Sequence, residues 1–340
     1  MKKIIFITLL ISVLFSCKET KIVNQEIRGE AQGTTFYISY SDSLQRDFSK
    51  EISKILLDFD EELSIYFYKS LLFNLNNNSL KEAKDFMFFG NCLYKSVEIE
   101  SVTNGAFNHG MKNIIDFTKD KTSFSAQDSL AVDSILKIDH RFIIKKESLV
   151  KLDKRAKFDF NAIAQGYSVD VLGDFLESKG VKNYMVEIGG ELKVKGRNQE
   201  GEKWSVGLES PKSTVTERDF QEIIYLENKA LATSGSYRKF KEINGKKYSH
   251  VIDPGTGYGV THNLLSVTVI ANDCMTADAL ATAFLVMGKE KTISFLKEKK
   301  NSDELDGELK TISVFFIETN EKGEFVTSYF NGFEKYLTGE

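Results

Sequence analysis

Tyr184-Met185-Val186-Glu187-Ile188-Gly189-Gly190-Glu191-Leu192-Lys193-Val194-Lys195 reads as two strands, Tyr184–Ile188 and Leu192–Lys195, joined by a Gly-Gly turn. Tyr184, Val186 and Ile188 fall on one face, as do Leu192 and Val194, and the paired glycines supply the positive φ of a tight hairpin. A hairpin joins antiparallel strands, which argues against a strict βα alternation around a parallel sheet. Working outward, Trp204–Leu208, Ile223–Leu226, Leu231–Thr233, Tyr248–Ile252, Leu265–Ala271 and Ile312–Ile317 are further strand candidates. Towards the N-terminus a strand follows residue 18, and Phe36–Tyr40 reads as its continuation after Gly33. Phe48, Ile52, Ile55, Leu56 and Phe59 recur at helical spacing, and a second amphipathic helix is predicted over 80–100. Asn161 is a candidate N-cap for a helix to about Ser178, and Met275–Met287 is a helix stopped by Gly288. Ser70–Ser79 is Asn-rich and reads as loop, and residues 116–134 read as polar surface. The mixture predicts an α+β fold, with antiparallel sheets and flanking helices.

The chain has 340 residues, 41% apolar and 28% charged, enough for one large domain or two smaller ones. A net charge of -4 with scattered lysines argues against nucleic acid as a main ligand, because backbone phosphates need a basic stripe. Lys2 and Lys3 precede an apolar stretch, Ile4 to Phe15, too short to span a bilayer but suited to a signal peptide. Leu14-Phe15-Ser16-Cys17 resembles a bacterial lipobox, which implies a signal over residues 1–16 and a lipid on Cys17. A tether over 17–27 would then lead to a folded domain over 28–335 on the periplasmic side of the cell envelope. Cys92 and Cys274 have no metal-ligand spacing; they either pair in an oxidising compartment or stay buried thiols.

Three elements could carry chemistry. On the helix that begins near Met275, Asp278 and Thr282 are four residues apart and share one face. A carboxylate beside a hydroxyl suits a hard cation such as Mg²⁺; the alternative is that Asp278 caps backbone and Thr282 bonds back to its own helix. Asp159 through Tyr167 enters a helix from a strand, where free N–H groups attract phosphate, or Asp159 simply terminates the strand. Thr233 through Arg238 allows close backbone approach at Gly235, and Tyr248 through Gly257 carries His250 into an Asp-Pro-Gly turn. No Gly-x-Ser-x-Gly elbow, phosphate-binding P-loop or dinucleotide Gly motif is present.

In order and combination these residues resemble the ApbE family. The resemblance runs from about residue 28 to 335: Gly33 through Tyr37, Leu63 through Tyr66, Ser70 through Asn76, Gly105 through Asn108, Asp159 through Asp170, Glu187 through Gly190, Thr233 through Arg238, His250 through Gly257, and Thr276 through Gly288. It implies a two-lobed α+β fold with FAD in the cleft between lobes, and transfer of FMN from FAD to a Thr or Ser hydroxyl of an exported acceptor protein. It also implies Mg²⁺ held by Asp278, Thr282 and the Ala162 carbonyl, and a FAD site lined by Phe36, Tyr66, Ala106, Phe107, Asn108, Asp159, Gln165 and His250. Asp278 and His250 are the candidate bases for the attacking hydroxyl. The chain departs from the family pattern at Asn108, where Asp is usual, at Gln165, where Lys or Glu is frequent, and at His109-Gly110-Met111. A Mg²⁺-dependent FAD pyrophosphatase, a non-catalytic flavin-binding lipoprotein and an electron-transfer flavoprotein stay open as alternatives. AMP release from FAD separates the first two.

Overall fold

A computed structural model describes residues 23–80, 86–145, 148–213, 219–236, 240–243, 246–249, 251–300 and 307–339. Its elements begin with β1 (Val23–Ala31), β2 (Thr34–Asp42), α1 (Ser49–Leu63), α2 (Leu71–Asn76), α3 (Met87–Val102), α4 (Lys112–Thr118) and α5 (Ala126–Ile135). There follow β3 (Phe142–Lys145), β4 (Ser148–Lys151), α6 (Ala164–Ser178), β5 (Asn183–Ile188), β6 (Glu191–Lys195), β7 (Trp204–Glu209) and β8 (Phe220–Leu226). The rest are β9 (Lys229–Gly235), β10 (Phe240–Ile243), β11 (Lys246–Ser249), β12 (Leu264–Ala271), α7 (Cys274–Met287), α8 (Lys289–Lys299), α9 (Glu308–Thr311), β13 (Ser313–Thr319) and β14 (Phe325–Phe330).

The fold is α+β. Eight strands form one sheet in the order β1-β2-β5-β6-β9-β12-β13-β14, with antiparallel neighbours throughout; β3-β4, β7-β8 and β10-β11 are separate hairpins. The β5–β6 hairpin turns at Gly189 and Gly190, both at positive φ, and Ile188 opposes Glu191. Central β12 is buried on both faces, because α7 packs on one side and the β7–β8 hairpin contributes to an apolar cluster on the other. Helix α7 is buried around nearly its whole circumference, between β9 and β12, α6 and α3, which explains its almost uniformly apolar sequence. A second cluster packs α1 and α6 on β2 and β5 through Phe48, Ile52, Leu172 and Tyr184. Among the described residues no helix is long and apolar enough to cross a membrane.

The structure departs from the sequence reading in several places. Phe36–Tyr40 does not continue the first strand: Gln32 and Gly33, at φ 53° and 75°, reverse the chain, and Ala31 pairs with Thr34 in a β1–β2 hairpin. Ser70–Ser79 is not all loop, because the Ser70 hydroxyl accepts from the Phe73 N–H and starts a short helix that buries Leu72 and Leu75. Asn161 is not the N-cap of α6; the Asp159 carboxylate accepts its backbone N–H, and the helix begins only after a turn, at Ala164. Residues 116–134 are mostly exposed, as read, and hold the end of α4 and most of α5; Asp116, Thr118, Lys119 and Phe124 also line a cavity. Strand β1 starts at Val23, inside the segment assigned to the tether. Cys92 and Cys274 are both free and buried.

Candidate active site

The site is organised by the crossing of α6 and α7. The Asp170 carboxylate, on α6, accepts the N–H groups of Cys274 (3.0 Å) and Met275 (2.8 Å), and the Asp273 side chain caps α7 by accepting from Thr276 N–H. These bonds fix where α7 starts. Gly166, in the first turn of α6, lies so close to α7 that a Cβ there would sit 2.3 Å from the Cys274 carbonyl oxygen and 2.7 Å from Asp278 Cβ. Its N–H donates to Asp278 Oδ2 at 3.0 Å. One turn further along α7, Thr282 Oγ1 lies 3.1 Å from Ser234 Oγ on β9.

A cavity of about 760 Å³ opens at this crossing, a size suited to a small-molecule or cofactor ligand. Asp278, Thr282 and Ala162 share its wall. Tyr66, Ala106, Phe107, Asn108, Asp159 and Gln165 line it too, so residues far apart in sequence converge on one space. Tyr66 is 80% exposed at this cavity, whereas Phe107 is buried beneath it. Asn108 is held at both ends of its amide: Nδ2 donates to Glu100 at 3.0 Å, and Oδ1 accepts from Gly110 N–H at 2.7 Å. Burial raises the Asp159 carboxyl above its usual range.

Phe36 does not reach the cavity wall. It sits on β2 with its ring packed over Gly29, whose missing Cβ would lie 2.6 Å from the ring edge, and it joins the α1–α6 cluster. His250, Tyr237 and Cys17 lie outside the described residues.

Sequence reasoning missed several wall residues. Glu191 opens β6 and is 8% exposed, yet it lines the cavity, and Oε2 has no hydrogen-bond partner among the described residues. Burial raises both the Glu191 and Asp278 carboxyls, and the Asp278 charge pushes Glu191 further up. A glutamate at the start of a strand reads as solvated, and only its place after the Gly-Gly turn hinted otherwise. Lys119 and Phe124, from the α4–α5 segment, form another wall. That segment is clasped to the turn after Asp253: the Phe124 and Tyr258 rings meet edge-on at 5.0 Å, and Tyr258 Oη donates to Ser129 Oγ at 3.2 Å. Gly257, at φ 74°, packs directly on Val132 and Ile114.

Among the described residues no three His, Cys, Asp or Glu side chains cluster as a metal site. The Asp278 and Glu191 carboxylates and the Thr282 hydroxyl belong to residues lining this cavity, and all are hard oxygens, which fit Mg²⁺ rather than a thiophilic metal.

Comparison with known proteins agrees with this geometry. The sequence profile of the ApbE family matches residues 32–305. A protein named FAD:protein FMN transferase from Haemophilus influenzae is 32% identical over 351 aligned positions, covering 98% of this chain and 96% of the relative. Another protein of that name, from Vibrio cholerae, is 34% identical and covers 78% of this chain and 82% of its own length. Among solved structures, the flavin transferase ApbE from Vibrio cholerae superposes with a TM-score of 0.77 at 29% identity, covering 93% of this chain and 100% of the other. The apo flavinyl transferase ApbE from Pseudomonas stutzeri gives a TM-score of 0.78 at 27% identity, with 93% and 97% covered. A profile match across most of the sequence, with relatives aligned nearly end to end, leaves no doubt of kinship: the chain belongs to the ApbE family.

Proposed function

We propose that this chain is an FAD:protein FMN transferase that moves FMN from FAD to a Thr or Ser hydroxyl of an exported acceptor protein, releasing AMP. The observation that supports the reading is the shared wall of Asp278, Thr282 and Ala162 in a cavity also lined by Tyr66, Ala106, Phe107, Asn108, Asp159 and Gln165. Asp278 would hold Mg²⁺ with the Thr282 hydroxyl and the Ala162 carbonyl. The cation would offset negative charge on the pyrophosphate as AMP leaves. In the transfer, the acceptor oxygen forms a bond to the FMN-side phosphorus and the bond from that phosphorus to the AMP oxygen breaks. The hydroxyl proton passes to a base, for which Asp278 and His250 are the two candidates. Positioning and charge stabilisation dominate this chemistry, so the buried, doubly capped start of α7 matters more than any single reactive group.

A pyrophosphatase would use the same wall with water as the nucleophile, so the attacking group is what has to be measured. With FAD and Mg²⁺ alone, AMP release should be slow; an acceptor bearing an Asp-x-x-(Ser/Gly/Ala)-(Ala/Gly)-Thr motif should accelerate it strongly. Brisk FAD hydrolysis that no acceptor accelerates would replace this reading with the pyrophosphatase.

The exported location is part of the same proposal. If Leu14–Cys17 is a lipobox, Cys17→Ala should move the protein from the membrane to the soluble fraction while turnover of FAD by the domain stays unchanged. Wild-type protein recovered free of membrane, with an unmodified N-terminus, would refute the anchor.

A further inference from the structure

We infer that Glu191 is a further oxygen donor of the cation centre, supplying with Asp278 the second negative charge that holds a divalent cation in the cavity. This rests on the reading above that Asp278 and Thr282 take a cation, and adds a ligand from a different element, the start of β6.

The starting observation is an unsatisfied group. Glu191 is 8% exposed, lines the same cavity as Asp278 and Thr282, and leaves Oε2 without a partner among the described residues. A buried carboxylate oxygen in that condition is strongly unfavourable unless something charged or hydrogen-bonding meets it. Asp170 shows how this protein satisfies a structural carboxylate: it is equally buried, accepts two backbone N–H groups and lies 3.2 Å from Lys193 Nζ. Among the described residues Glu191 has no such cation. The side-chain charges acting on it among the described residues are those of Asp278 and Glu187, both of its own sign.

The turn before Glu191 packs closely against its neighbours: Gly189, at φ 67°, has no room for a Cβ, which would come within 2.9 Å of Gln165 Nε2 and Thr34 Cγ2 and 3.4 Å of Glu191 Oε2. The hairpin register then fixes Glu191 opposite Ile188, with its side chain on the cavity wall. Two like-charged carboxylates on one buried wall repel each other when the cavity is without a cation, and a divalent ion removes that penalty. Hard cations are held more tightly as the number of charged oxygen ligands rises, so Glu191 acts on affinity rather than on folding.

The test uses Mn²⁺ as probe, titrated into the full chain without FAD and followed by calorimetry and by the Mn²⁺ paramagnetic resonance signal. Glu191→Gln should weaken Mn²⁺ binding about 10-fold or more. Its melting temperature without cation should be unchanged or higher, and Mn²⁺ should raise it less than in the wild type. Wild-type Mn²⁺ affinity in Glu191→Gln overturns the inference, whatever happens to turnover. If Glu191→Gln does not fold, Glu191→Asp, which keeps the charge on a shorter arm, is measured instead; a several-fold loss supports the inference and unchanged affinity overturns it. Asp278→Asn separates the two levels. Loss of Mn²⁺ in Asp278→Asn with full binding in Glu191→Gln leaves the cation reading standing and removes Glu191 from it. A wild-type chain that takes up no Mn²⁺ removes both.

Discussion

Asp278→Asn is expected to lower cation-dependent FAD turnover about 100-fold or more while leaving the fold intact. The substitution keeps shape and an acceptor oxygen for the Gly166 N–H, so the contact that orients the side chain survives. What it removes is the negative charge, and with it the anionic oxygen offered to the cation. Burial already disfavours that charge, so the melting temperature should hold or rise. Activity and stability would then move in opposite directions, a pattern that ordinary structural damage does not produce. Thr282→Val, which removes a neutral donor, should weaken the cation requirement more mildly. A folded Asp278→Asn protein with most of its activity would remove Asp278 from the chemistry.

Gly166→Ala should have the largest structural effect. Helix propensity favours Ala over Gly by about 1 kcal/mol, but the added methyl would meet the Cys274 carbonyl at 2.3 Å. That obstacle is backbone, held by the two N–H bonds to Asp170, and cannot swing aside as a side chain would. Overpacking here should cost about 3 kcal/mol or more, seen as a fall in melting temperature of about 5 °C or more. The same shift pushes Asp278 off the wall, so turnover should fall in whatever fraction stays folded. Wild-type melting and turnover in Gly166→Ala would show that α6 and α7 do not depend on this contact.

Much of this arrangement was legible before the structure. The Gly-Gly hairpin gave the antiparallel sheet, and the apolar run Leu265–Ala271 followed by Met275–Met287 gave β12 and α7 to within a residue or so, because periodicity and the Gly288 stop agree. Asp278 and Thr282 were placed on one face because a four-residue spacing on a helix does so whatever surrounds it, and both line the cavity. Three features were hidden for physical reasons. The start of α6 depends on an Asp159–Asn161 turn, a side chain competing for backbone in a way that N-cap preference does not anticipate. The α4–α5 wall is polar because one side faces water, and its contact with the turn at Tyr258 is purely tertiary. Glu191 was missed because its burial comes from the packing of α6 and α7 on β6, and only its place after the Gly-Gly turn hinted at it. Phe36, assigned to the flavin by resemblance, packs over Gly29 in the α1–α6 cluster.

The most direct test of the central claim is the intact mass of an acceptor protein after incubation with this chain, FAD and Mg²⁺. FMN transfer predicts an acceptor heavier by one FMN moiety, with the gain abolished when the motif threonine is replaced by alanine and when Asp278→Asn replaces the wild-type enzyme. An acceptor of unchanged mass in a reaction that consumes FAD would contradict it.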